Sequence, residues 1–110
     1  MNQFKGQSLV SAGFTTFDIP YKVLYSVEDY QEAYPCIVVK SLHPDYFLLF
    51  GSIVLIIAEK GGALSHLAIM AREYSLPIIL IEDIVSKIPL RGKLSIKGTI
   101  VEIKADGRNK

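Results

Sequence analysis

Gly61 to Pro77 reads GGALSHLAIMAREYSLP, the stretch around which the rest of the chain is arranged. Two glycines and Ser65 precede His66, and a segment of helical pattern follows until Pro77 forbids simple continuation. With a helix starting near Ser65, steps of about 100° per residue bring Leu67, Met70, Ala71 and Tyr74 onto one arc, the expected core face. His66 falls at the edge of the opposite arc, close to Glu73 and with Ile69 and Arg72 on the same solvent-leaning side. The pattern therefore displays an imidazole at the start of a helix.

That placement has chemical consequences. Ser65 can cap the free amides of the first turn, and Gly61 and Gly62 permit close approaches that side chains would obstruct. A phosphoryl group on His66 would meet those amides and the positive end of the helix dipole, worth about 0.3 to 1 kcal/mol when exposed and up to about 2 when partly buried. Imidazole, with an ordinary pKa of about 6.5, is a competent nucleophile near neutral pH and forms covalent intermediates without a separate base. A histidine flanked by leucines also fits a half-buried helix position. A serine hydrolase would need a Gly-x-Ser-x-Gly elbow, which Ser65 beside His66 does not supply. Metal binding is disfavoured too, because His43 and His66 are the only histidines and neither has a ligand-spaced neighbour. His43, next to Pro44, reads as a loop or capping residue.

Upstream, Cys36 to Val39 and Ser52 to Ala58 are apolar, β-branched runs suited to strands buried on two faces. Between them Pro44 and Asp45 open a short helical segment reaching Phe50. A crossover of this length joins parallel strands, so strand, short helix and strand form a β-α-β unit that delivers the chain into Gly61-Gly62. Earlier still, Ser8 to Val10 and Tyr21 to Tyr25 are strand candidates separated by Gly13 and Pro20, and Ser26 to Tyr30 is a capped turn or loop. Gly6 and Gly13 resemble no phosphate loop. Downstream, Ile78 to Ile81 is another strand, Glu82 to Lys87 a helical turn, and Leu94 to Ile96 with Thr99 to Ile103 a tight hairpin around Lys97-Gly98.

Composition bounds the possibilities. A chain of 110 residues, 50% apolar, supports one core, so residues 1–104 are expected to form a single domain and 105–110 a frayed polar tail. Twelve basic against eleven acidic side chains, without a basic-aromatic patch, argue against a nucleic-acid partner. The single Cys36 points to a reducing compartment and a core thiol. The longest uncharged run, Tyr46 to Ala58, is short of the roughly 20 residues that span a bilayer, so a soluble, cytoplasmic protein without a membrane partner is expected.

At Gly61, Gly62, Ser65, His66, Ala68, Ile69, Ala71, Arg72, Glu73 and Pro77 the chain resembles the phosphohistidine swivelling domain, the mobile domain of PEP-utilising enzymes such as pyruvate phosphate dikinase and phosphoenolpyruvate synthase. Cys36 to Phe50 and Arg91 to Val101 extend the resemblance. It implies an α/β fold, a compact β/β/α domain with a mixed sheet and a few packed helices. It also implies that His66 is the catalytic residue, a phosphoprotein site that carries phosphate between a nucleotide-binding and a PEP- or pyruvate-binding partner in a phosphotransferase. Gly61, Gly62 and Ser65 would support the phosphate loop and helix start, while Ile69, Arg72 and Glu73 would be supporting or docking residues. No cofactor or metal is expected on this domain, with ATP or PEP and Mg on the partners. A complete barrel partner alone needs about 250 residues, so this chain would be the carrier component rather than the whole enzyme. Leu64 stands where the family has threonine, Leu67 where it has a small residue, and Ser75 where it has glycine. Leu64 and Leu67 motivate a second reading, a noncatalytic interaction or regulatory module on the same fold.

Overall fold

A computed structural model of the chain describes residues 3–11 and 15–105. Three apolar runs form its centre: β4 (Cys36–Ser41), β5 (Leu55–Lys60) and β6 (Ile78–Leu80). They lie side by side in parallel, with Val38 opposite Ile57 and Ile57 opposite Ile79. The parallel crossover between β4 and β5 is as expected, but its helix, Pro44–Leu49, is a 3₁₀ helix. The second strand also starts three residues later than its apolar run. Ser52 and Ile53 donate their amides to the Leu49 carbonyl, at 2.8 and 3.1 Å, so they close the helix and cannot join the ladder.

Around this centre stand β3 (Thr15–Val23), β7 (Arg91–Lys97), β8 (Ile100–Ala105), β1 (Gln3–Lys5) and β2 (Gln7–Val10). Pro20 does not separate strands as the sequence suggests; it lies inside β3, paired with Lys93. There β3 has β7 on one side only, because its pairing with β4 begins at Tyr21. At such an edge position a missing amide need not break the sheet. The β7–β8 hairpin turns through Gly98 and Thr99, one residue later than expected, with Gly98 at φ 65° supplying the left-handed conformation. Gly13 and residues 106–110 lie outside the described residues.

The strand order is β1-β8-β7-β3-β4-β5-β6-β2. The first and last strands in that order are consecutive in the chain, with only Gly6 between them. One N-terminal ribbon thus pairs with β8 through β1 and with β6 through β2, and the sheet closes on itself. Closure leaves Gly6 no room: a Cβ there would fall on Ile79 Cγ2 and lie 2.9 Å from Ile81 Cγ1. Its amide donates to the Thr99 carbonyl at 2.8 Å, tying the crossing point to the hairpin.

Alternating strand residues feed two apolar clusters, as the period of two requires. Tyr21, Cys36, Val38, Leu55, Ile57, Leu94, Ile96 and Val101 fill the space enclosed by the strands. Burial pushes the thiol of Cys36 and the phenol of Tyr21 up, and the Tyr21 hydroxyl donates to the Pro89 carbonyl at 3.0 Å. Ile37, Val39, Ile56 and Ala58 face the other way, against the Pro44–Leu49 helix and α1 (His66–Glu73). The mixed sheet with a helix packed on it is the β/β/α arrangement expected from the sequence. A second short helix, α2 (Ile84–Lys87), covers the enclosed cluster with Ile84 and Val85.

Candidate functional site

The β5 strand ends at Lys60, and after five intervening residues α1 begins at His66. Ser65 is the N-cap, with extended backbone; its Oγ accepts from the Ala68 amide at 3.2 Å and its carbonyl from the Ile69 amide at 3.0 Å. The amides of His66 and Leu67 have no acceptor among the described residues. They are the free donors of a helix start, where the dipole favours an anion. His66 itself is exposed, and its ring nitrogens have no hydrogen-bond partner among the described residues.

The preceding loop is shaped by a few contacts. Gly61 passes so close to Leu42 that a Cβ would lie 2.5 Å from Leu42 Cδ1. Gly62 has open space around it and no positive φ, so glycine there keeps the backbone uncovered rather than relieving a clash. The Ser65 amide donates to the Gly62 carbonyl at 3.0 Å, and an Arg72 guanidinium nitrogen donates to the Ala63 carbonyl at 2.9 Å. Leu42 carries no pattern in the sequence that would single it out, since its role comes from β4 and β5 being neighbours.

The buried face of α1 differs in part from the expected arc. Leu67 and Ala71 are buried and Met70 partly so, as expected, but Ala68 is fully buried and Tyr74 is 58% exposed. The helix ends before Tyr74, which is its C-cap. Leu76 and Ser75 donate back to the Ala71 and Arg72 carbonyls at 2.9 and 3.2 Å, the two bonds of a Schellman ending. Ser75 therefore sits at φ 55°, the position where glycine is favoured. The Tyr74 ring packs edge-on against Phe47 and Phe50, 5.6 Å between centroids in both cases. Ile69, 43% exposed, and Leu64, 88% exposed, flank His66. Glu73 makes no ion pair with His66 among the described residues, since a rise of about 1.5 Å per residue separates them by roughly 10 Å.

His43 is the N-cap of the Pro44–Leu49 helix, its Nδ1 accepting from the Asp45 amide at 3.0 Å. Among the described residues no three His, Cys, Asp or Glu side chains gather as metal ligands, and no helix is long and apolar enough to cross a membrane. A cleft of about 270 Å³ lies at the ends of β3 and β4, lined by Tyr25, Ser26, Lys40, Ser41 and His43 among others. A shallower hollow of about 470 Å³ beside Gly61 carries Glu59, Glu82 and Asp83. His66 lines neither.

A closed mixed sheet that presents a histidine at a capped helix start, outside these two hollows, defines a β/β/α swivelling domain. The chain belongs to the family described as PEP-utilising enzyme, mobile domain, whose profile matches residues 35–106. It is also 36% identical over 63 residues to a Bacillus subtilis (strain 168) protein named "Uncharacterized phosphotransferase YvkC". That similarity takes in 56% of this chain and 8% of the relative's length.

Proposed function

We propose that this domain is a phosphoryl carrier, with His66 accepting the group from one partner and delivering it to another. The observation that carries the reading is the division of labour at the helix start. Ser65 performs the capping, which leaves the His66 ring unengaged beside two free amides. In the forward step a ring-nitrogen lone pair forms a P–N bond as the P–O bond to the donor breaks, and the electron pair leaves on the donor oxygen. Reversal toward an acceptor oxygen regenerates the imidazole. Because His66 stands on the surface rather than in either hollow, both substrates would sit on partners: a nucleotide-binding domain and a PEP- or pyruvate-binding domain, with Mg²⁺ held there. Residues 1–104 would act as a single carrier domain, with Gly61, Gly62 and Ser65 shaping the phosphate site and Ile69 contacting the docked partner.

The test is incubation with radiolabelled ATP or PEP together with those two partner domains. The expected product is an acid-labile, alkali-stable adduct on the wild type and none on His66→Ala. Equal labelling of the two proteins would sink the reading.

A second reading, a noncatalytic interaction module, draws on Leu64. Its side chain is 88% exposed where a hydroxyl would stand beside the phosphate. In that case partner binding persists in His66→Ala and no adduct forms on the wild type.

A further inference from the structure

The loop that presents His66 is held by little. Within Gly61 to Leu64 the described hydrogen bonds are the turn from the Ser65 amide to the Gly62 carbonyl and the guanidinium of Arg72 on the Ala63 carbonyl. Gly62 touches nothing that a side chain would meet, and Leu64 is almost fully exposed, so packing does not restrain that part of the loop. Arg72 is itself on the exposed side of α1, and a long helical side chain leans toward the helix N-terminus, which is the direction of this contact. It bridges nine positions of chain and ties the second turn of the helix to the residues just ahead of its first.

We infer that Arg72 is a positioning residue: through its bond to the Ala63 carbonyl it holds the Gly61–Leu64 loop so that the free His66 and Leu67 amides stay directed at the group carried on the imidazole. This rests on the carrier reading for its purpose, though the loop geometry stands without it. An exposed hydrogen bond of this kind contributes little to global stability. Its effect is local, because among the described residues no second side-chain hydrogen bond reaches the loop and Leu42 backs only its first residue, and misplacement near a reacting centre is costly in rate.

The experiment needs no partner. Phosphoramidate, whose P–N bond to ammonia breaks as a histidine nitrogen attacks phosphorus, is used to modify the whole chain chemically. Adducts on His66 and His43 are then followed separately by ³¹P NMR. Arg72→Gln and Arg72→Ala are expected to shorten the lifetime of the His66 adduct and to speed exchange of the Ser65 amide, which is bonded to the Gly62 carbonyl within the loop, each by about five-fold, the factor of one such hydrogen bond. The His43 adduct serves as internal reference and keeps its lifetime. Arg72→Lys, which can still reach a carbonyl with one donor, restores both toward wild type. Unchanged exchange and adduct lifetime in folded Arg72→Ala, or Arg72→Lys behaving like Arg72→Ala, would overturn the inference. Failure of enzymatic labelling would count against the carrier reading alone, because the chemical adduct and the exchange rates do not depend on it.

Discussion

Two crossovers in this domain look alike on paper and differ in what they leave free. Each follows a parallel strand, β4 in one case and β5 in the other, and each places a histidine at the start of a helix. In the first, His43 is the cap: its Nδ1 accepts from the Asp45 amide and Pro44 removes one amide from the turn. In the second, Ser65 is the cap and His66 is the residue after it. One position of offset decides whether the ring is engaged in local structure or available to another molecule. A histidine near a helix start is thus not informative by itself; which side chain satisfies the first-turn amides is.

The largest effect that separates the crossovers is chemical. With phosphate supplied by the partner domains, His66→Ala is expected to lose all acid-labile label and His43→Ala to keep it, while His66→Ala changes unfolding free energy by less than about 0.5 kcal/mol because the side chain is exposed. Next in size is Ser65→Ala, which removes the α1 cap and should cost about 1 kcal/mol in urea denaturation. His43→Ala removes the corresponding cap of the 3₁₀ helix, an exposed hydrogen bond, and should cost about 0.5 kcal/mol by the same measurement. If Ser65→Ala were neutral and His43→Ala costly, the assignment of caps would be reversed. Smallest is a gain: Ser75→Gly relieves a left-handed residue but adds freedom to the unfolded chain, for a net stabilisation of a few tenths of a kcal/mol. A loss of stability there would contradict the Schellman ending of α1.

Much of the site is legible in local sequence. Ser65 as cap, His66 exposed, Leu67 and Ala71 inward and Ile69 outward all follow from local spacing, because capping and helical periodicity act over a few residues. Periodicity puts Tyr74 on the core arc because it cannot see where a helix stops, and here the left-handed Ser75 stops it. The link between His66 and Glu73 failed for a related reason, since a shared face does not imply contact two turns away. Pro20 misled as a strand break because its tolerance depends on which neighbour is missing, a fact about pairing rather than about proline.

Local sequence is enough to define the strand and helix segments of the parallel unit, the family to which the chain belongs, and the histidine on which a function can rest. These are written in side-chain type and short spacing. Three-dimensional packing is what closes the sheet through Gly6, sets Leu42 behind Gly61, and brings Arg72 to the Ala63 carbonyl. Those facts depend on contacts between residues distant in the chain or on how a long side chain turns, and no local preference encodes them. The same GGALSHLAIMAREYSLP stretch therefore names the reactive group, while the packing around it sets how firmly that group is held.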